Sequence, residues 1–187
     1  MPHPPASADP VAATRRWLQR AVIGLNLCPF AKAVTAKGQV RFALTDARTP
    51  AALLDALAAE LAHLRDTPAE AVDTTLLIHP HALGDFLDYN DFLDAADALV
   101  ERMDLAGVLQ VASFHPGYRF AGSADDDIGN YTNRSPFPML HLLREDSVAR
   151  AVAAYPDPDV IVERNLRTLD RLGHAGWRRL FDDDAPG

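Results

Sequence analysis

The sequence contains a single cysteine, Cys28, among 187 residues. One cysteine excludes a disulfide bond within the chain and is typical of a protein that works in a reducing compartment. No apolar run approaches the ~20 residues that a membrane-spanning helix needs. Residues 1–8 lack the charged segment and the apolar core of a secretion signal, so we predict a disordered tail there. These absences favour a cytoplasmic protein without a membrane partner.

Basic residues are also in the minority. There are 18 Lys and Arg residues against 26 Asp and Glu, which gives a formal net charge of -8. This acidic balance argues against nucleic acid as a partner, although it leaves room for a local pocket lined by arginine. The chain also has no glycine-rich phosphate loop, no dinucleotide fingerprint, no nucleophile elbow and no His-Glu-x-x-His motif. No particular cofactor is therefore indicated.

Apolar periodicity predicts a single α/β domain over residues 9–181, followed by an acidic tail at 182–187. The length and the 48% content of hydrophobic residues suit one domain. Strands and helices alternate up to residue 114, an order typical of parallel sheets. We predict a small, mostly parallel sheet of about four strands, one of them antiparallel or at an edge, with helices packed on it and a C-terminal helical extension. The predicted strands are 39–45, 74–78, 108–114 and 139–144.

Proline and glycine mark the predicted helix boundaries. Asp9-Pro10 and Thr49-Pro50 each combine a capping side chain with proline at the first helical position, and each predicts the start of a helix. A third helix is predicted over residues 86–103. Gly173 is predicted to end a C-terminal helix, because glycine readily adopts the left-handed conformation found there.

A long polar loop, residues 116–136, separates the last two predicted strands. Loops of this length inside a compact domain are uncommon and are often functional. His115 follows the third strand directly, at the strand end where open α/β sheets bind ligands. Its imidazole suits acid/base catalysis near neutral pH, and Tyr118 is placed to orient it. The alternative is a structural role, in which the ring nitrogens of His115 cap the strand end.

Three further histidines raise the question of a metal site. His79 and His81 follow the second strand, and His141 lies within the fourth. Together with His115 and an acid from residues 125–127 they would offer ligands for a divalent cation. The alternative makes His79 and His81 solvent-facing loop residues and His141 a hydrogen-bonded structural residue. The spacing matches no metal motif, so we favour the alternative and predict no metal.

Arginines in and after the loop are candidates for binding an anion. Arg134 lies in an Asn-Arg-Ser-Pro segment, and Arg144 ends the fourth strand. Guanidinium groups form paired hydrogen bonds with carboxylate or phosphate, and Asn133 adds a neutral donor. His141 is a further candidate for positioning the substrate. The alternative is that these arginines form ion pairs that hold the loop in place.

Cys28 has two interpretations, which depend on the helix beside it. At the end of the first helix, the helix dipole would disfavour its thiolate. As the cap of a new helix with Pro29 at the first position, the dipole would favour the thiolate, and Lys32 and Lys37 would add positive charge. A buried, unreactive thiol is the commoner state of this residue. Both interpretations remain open from the sequence.

Several segments form a recognisable combination: NLCPFA at 26–31, FHPGY at 114–118, TNRSP at 132–136, LHLLRE at 140–145 and Glu-Arg-Asn at 163–165. In this combination the sequence, from Val11 to Leu172, resembles a bacterial family classified only as a domain of unknown function. The resemblance implies a single-domain bacterial protein. It carries over no catalytic residue, because the family has no assigned activity. On its own, the triplet at 163–165 is typical of a solvated helix face.

The leading hypothesis is an enzyme that acts on a small anionic metabolite through acid/base chemistry at His115. Arg134 and Arg144 would hold the anion, and Cys28 would line the pocket. Two alternatives are a non-catalytic module that binds a metabolite or docks a partner through the same arginines, and a metal-binding protein. The leading hypothesis requires four side chains to surround one cavity: Cys28, His115, Arg134 and His141.

Overall fold

The computed structural model describes residues 9–154 and 158–182 and places a four-stranded sheet between two layers of helices. The predicted tails lie outside these residues, apart from residue 182. The four predicted strands are confirmed to within one residue at either end. They are β1 (Val40–Leu44), β2 (Thr74–Ile78), β3 (Leu109–Phe114) and β4 (Met139–Arg144).

Six helices and one short 3₁₀ helix are described. The first helix changes to π-helical geometry at its second half, and the last is interrupted at Gly173, where φ is +59°. The predicted helix break at this glycine is therefore confirmed. The helices are α1 (Pro10–Trp17), continued by a π-helix over Leu18–Ile23, α2 (Ala31–Ala36), α3 (Pro50–Asp66), α4 (Phe86–Arg102), α5 (Glu145–Ala153) and α6 (Pro158–Arg179), with the 3₁₀ helix at Ile128–Thr132.

Side-chain caps begin the helices where the sequence predicts. The carboxylate of Asp9 accepts a hydrogen bond from the backbone N–H of Val11 at 2.9 Å. The hydroxyl of Thr49 accepts from Ala52 N–H at 3.2 Å. Each cap satisfies a backbone donor that has no partner within its own helix, and the proline that follows needs none.

The sheet is mostly antiparallel, and the prediction of a mostly parallel sheet is wrong. The strand order is β1-β2-β4-β3, with β1 and β2 parallel and β4 antiparallel to both of its neighbours. Strands β1, β2 and β3 do run in one direction, as the alternation with helices indicates. The loop before β4 contains no crossover helix, so β4 returns in the opposite direction and enters between β2 and β3.

The central place of β4 follows from its apolar side chains on both faces. Leu140 and Leu142 are fully buried against α3 and α4 in one layer. Met139 is fully buried in the other layer, where Trp17 of α1 and Trp177 of α6 also pack. A strand covered on both faces must be apolar on both, and the one polar side chain in its interior, His141, therefore needs an explanation; Arg144 lies at its end.

Candidate functional site

A cavity of about 300 Å³ lies between the sheet and the helices of the second layer. The π-helix, α2 and α5 contribute its walls. Its floor is formed by β2, β3 and β4, with one residue of β1 at the edge. Its volume is at the lower end of the ~300–1,000 Å³ range of ligand pockets. Apolar side chains dominate the lining and include Trp17, Val22, Phe30, Val34, Leu76, Phe114, Leu143 and Val148. The polar lining residues are Cys28, Thr35, Asp73, Thr74, Gln110, His141 and Ser147.

His141 is held in a single tautomer by the neighbouring strand. Its Nε2 lies 2.7 Å from the hydroxyl oxygen of Thr74 on β2. That hydroxyl donates its only hydrogen to the carbonyl of Leu142, also at 2.7 Å. The hydroxyl must therefore accept from the imidazole, so Nε2 carries the proton and Nδ1 carries a lone pair.

Nδ1 of His141 makes no hydrogen bond to any residue that the structure describes. Burial lowers the pKa of His141 to about 4, so the ring is neutral at physiological pH. The side chain is nevertheless partly accessible, because it lines the cavity. The cavity thus combines a mainly apolar lining with a few neutral polar groups, one of which is the acceptor Nδ1 of His141.

Cys28 also lines this cavity, and it lies in a turn between two helices. The preceding π-helix ends at Ile23 and α2 begins at Ala31, so Cys28 belongs to neither helix. The helix-dipole arguments for either state of its thiol therefore do not apply directly. The side chain is partly exposed.

Two residues of α6 hold this turn, and the sequence did not reveal their role. Arg164 Nη2 donates to the carbonyl of Asn26 at 2.8 Å, and Asn165 Nδ2 donates to the carbonyl of Leu27 at 2.7 Å. Asn165 is only 9% exposed, so the prediction of a solvated helix face is wrong for this residue. The segments 26–31 and 163–165 both belong to the combination of motifs found in the sequence. That combination did not show that the two segments are in contact.

His115 lies outside the cavity, at the strand end, and both of its ring nitrogens face backbone groups. Nδ1 accepts from Gly117 N–H at 2.9 Å. Nε2 therefore carries the proton and donates to the carbonyl of Leu83 at 3.1 Å. The ring is 2% exposed and packs on Tyr89, with 5.0 Å between ring centroids. Tyr118 contacts His115 through its backbone N–H, which donates to the carbonyl of His115 at 3.1 Å.

His79 also packs on Tyr89, with 5.9 Å between ring centroids, and is completely buried, so the expectation of a solvent-facing loop position is wrong for it. Its Nδ1 donates to the carbonyl of Ala82 at 3.1 Å, and burial lowers the pKa of His79 to about 4. His81 is exposed, as expected. The ends of β2 and β3 thus bring together His79 and His115, while His141 lies further along β4 on the sheet.

Arg134 and Asn133 organise the long loop. Arg134 Nε donates to the carbonyl of Tyr118 at 3.1 Å, and its Nη2 donates to the carbonyl of Asp125 at 2.6 Å. Asn133 Nδ2 donates to the carbonyl of Ser113 at 3.2 Å. Arg134 also borders a separate, open pocket of about 300 Å³ beside the start of α4.

Arg144 lies at the opposite end of β4 from the long loop. Its guanidinium donates to the carbonyls of Leu64 and Thr67, in and after the last turn of α3, and to the carbonyl of Val72 just before β2. The six residues of β4 extend over roughly 20 Å at ~3.4 Å each. Arg134 and Arg144 are therefore not placed to hold one small anion between them.

The four side chains expected around one cavity are divided between two places. Cys28 and His141 line the apolar cavity, whereas Arg134 and the backbone of Gly117, next to His115, border the open pocket. Within residues 9–154 and 158–182, no three His, Cys, Asp or Glu side chains come together as a metal site requires. None of the helices described there is long and apolar enough to cross a bilayer.

These features define a single α/β domain with a ligand-sized apolar cavity beside its sheet. The chain belongs to the family described as "Protein of unknown function (DUF1415)", whose model matches residues 9–179. The expected resemblance to a family of unknown function is thereby confirmed. Comparisons with curated proteins and with solved structures gave no match.

Proposed function

We propose that this protein binds a small, neutral, mainly apolar molecule in the cavity, and that the ligand donates one hydrogen bond to Nδ1 of His141. The observation that carries this proposal is the lone pair on Nδ1, which has no partner among the described residues and belongs to a side chain of an apolar lining. This acceptor lies on a side chain that lines the cavity, and a ligand hydroxyl or N–H placed there would donate to it.

The charges around the cavity favour a neutral ligand over an anion. No lysine or arginine is among the lining residues that the structure describes. The charged lining residue is Asp73, whose carboxylate already accepts a hydrogen bond from the hydroxyl of Ser147 at 2.6 Å. His141 adds no positive charge, because burial keeps its pKa well below neutral pH. An anion would thus leave water without gaining an ion pair.

The acid/base role expected for His115 has weaker geometric support than this binding role. Its two ring nitrogens are engaged by Gly117 N–H and by the carbonyl of Leu83. Proton transfer to a substrate would require one of these bonds to break. The geometry therefore favours the non-catalytic, metabolite-binding alternative, with His141 rather than His115 as the central polar residue.

Two probes that differ by one hydroxyl test the proposal directly. We expect 2-naphthol to bind about fivefold more tightly than naphthalene, as one extra neutral hydrogen bond provides. In His141→Phe, which removes the acceptor, the two affinities should become equal. Gln110→Met removes another polar group from the same lining and should leave the preference for 2-naphthol unchanged. Isothermal titration calorimetry measures all these affinities.

The proposal fails if 2-naphthol keeps its advantage in His141→Phe, or if neither probe binds the unmodified protein. Naphthalene also serves as the folding control, because its binding to His141→Phe shows that the apolar lining is intact. If His141→Phe no longer binds naphthalene, its lining is damaged, and Thr74→Val is used as the test variant instead. That variant leaves the imidazole in place but removes the acceptor that fixes its tautomer, and it should reduce the preference.

Alkylation of Cys28 gives an independent test of where the ligand lies. Because Cys28 lines the cavity, we expect a saturating concentration of 2-naphthol to slow the reaction of the Cys28 thiol with N-ethylmaleimide several-fold. The chain has one cysteine, so mass spectrometry counts a single adduct. The urea-unfolded chain should react at one rate with or without 2-naphthol. Equal rates in the folded protein would place the ligand elsewhere.

A further inference from the structure

We propose a second binding site, for a small monocarboxylate, in the open pocket between the start of α4 and the long loop. Its volume is about 300 Å³. Two guanidinium groups border it, from Arg119 and Arg134, together with the side chains of Phe86 and Leu87. This site is separate from the apolar cavity and takes a ligand of different charge.

Arg134 is a buried cation without a counter-ion in the described part of the chain. It is 9% exposed, and its hydrogen bonds go to two backbone carbonyls through Nε and Nη2. Its guanidinium lies over the ring of Tyr131, 4.6 Å from the centroid. Nη1 makes no hydrogen bond to a described residue. Buried charges in proteins are normally paired, and a carboxylate in the pocket would pair this one.

Arg119 supplies the second guanidinium. It forms an ion pair with the carboxylate of Asp125, but the two side chains are 42% and 83% exposed. Exposed pairs of this kind contribute little to stability, so a ligand can share or replace the Asp125 carboxylate. Arginine presents its N–H groups in a fork that fits the two oxygens of a carboxylate.

A ligand with a single negative charge would pair with the guanidinium of Arg134, which bonds only to backbone carbonyls among the described residues. Two guanidinium groups face two carboxylates, those of Asp125 and Asp85. The Asp85 carboxylate is occupied as the cap of α4, where it accepts from Leu87 N–H at 2.8 Å. A dianion such as phosphate would meet twice the repulsion from the carboxylates and twice the attraction from the guanidinium groups, so its second charge brings no net advantage. The apolar surfaces of Phe86 and Leu87 suit the remainder of an aromatic or aliphatic acid.

Benzoate is the probe for this site, and the decisive variants are expected to increase its affinity. Asp125→Asn removes the competing charge and keeps the backbone carbonyl that holds Arg134. Asp85→Asn removes the other charge and keeps the cap, since asparagine caps helices as well as aspartate. We expect each change to tighten benzoate binding about three- to tenfold, because one nearby like charge is removed.

The matched control is Asp66→Asn, which neutralises the acid of another exposed Arg–Asp pair, with Arg65, far from the pocket along α3. It should leave the affinity for benzoate unchanged. Benzyl alcohol, the neutral analogue, should bind the pocket at least tenfold more weakly than benzoate. The backbone N–H signal of Gly117 in NMR spectra reports binding at this site, because Gly117 borders the pocket.

A gain in affinity cannot result from a damaged fold, so the result is clear in either direction. The proposal is overturned if Asp125→Asn and Asp85→Asn leave the affinity for benzoate unchanged, or if Asp66→Asn raises it equally. It is also overturned if benzyl alcohol shifts the Gly117 signal at the same concentrations as benzoate. Failure of this site would leave 2-naphthol binding in the cavity unaffected, so the two proposals are tested separately.

Discussion

Replacing Arg144 by methionine is expected to lower the free energy of unfolding by about 4 kcal/mol. The guanidinium donates to three backbone carbonyls, those of Leu64, Thr67 and Val72. Two of them belong to the C-terminal end of α3, where carbonyls lack partners within the helix and the dipole favours a cation. Losing a charged donor from each carbonyl costs ~1–2 kcal/mol. Urea unfolding monitored by circular dichroism measures the change.

Arg41→Met is the matched control, because Arg41 also joins a strand to α3. Its guanidinium forms a two-point ion pair with Glu60, at 2.8 and 3.0 Å, and its side chain is 39% exposed. A partly exposed ion pair contributes ~1 kcal/mol or less, so this variant should lose far less stability. Equal losses in the two variants would show that capping of α3 is not the role of Arg144.

The same Arg144 variant separates a structural role from a role in anion binding. The geometry commits Arg144 to three carbonyls at the end of β4 that lies away from the long loop. We therefore expect Arg144→Met to bind benzoate and 2-naphthol with unchanged affinity under conditions where it is folded. A loss of benzoate binding by the folded variant would restore the hypothesis that Arg144 holds the anion.

Local patterns predicted the elements of the fold, whereas the order of the strands depended on distant parts of the chain. Asp9-Pro10, Thr49-Pro50 and Gly173 act within one turn of helix, so their effect can be deduced from neighbouring residues. The insertion of β4 between β2 and β3 depends on its backbone pairing with both strands, which are distant from it in sequence. No pattern within residues 139–144 specifies these partners, although their apolar character on both faces is consistent with a central strand.

The sequence identified individual candidate residues of the site, but it did not show which of them lie together in the fold. A histidine between leucines, His141, signals an unusual polar group in the core, and the sequence identified it. The roles of the arginines could not be identified in this way, because they depend on which carbonyls lack partners after folding. Arg144 and Arg164 both bind backbone carbonyls more than 70 residues away in the chain. Such contacts have no signature in the local sequence.

Acidification is expected to destabilise the protein through two buried histidines. Burial lowers the pKa of His79 and of His141 from 6.5 to about 4. In the unfolded chain both rings take up a proton as the pH falls through 6.5, whereas in the folded protein they stay neutral until about pH 4. Their contribution to stability is complete above pH 6.5 and is lost as the pH falls towards 4. The linkage relation gives about 2 kcal/mol per histidine between pH 7 and pH 5.

Single and double variants distinguish these histidines from the carboxylates, which also titrate in acid. His79→Phe and His141→Phe should each reduce the loss of stability between pH 7 and pH 5 by about half of the histidine contribution, and the double variant should remove it. Urea unfolding at pH 7, 6 and 5 measures the free energy of unfolding of each variant. The compared quantity is the loss between pH 7 and pH 5 within one variant, so the cost of the substitution itself at pH 7 cancels. If both single variants lose as much stability on acidification as the unmodified protein, the two imidazoles are not held neutral by burial. In that case the pKa of His141 in the folded protein would lie near its ordinary value of 6.5 rather than near 4, and its Nδ1 would be an acceptor for a ligand hydroxyl only above that pH.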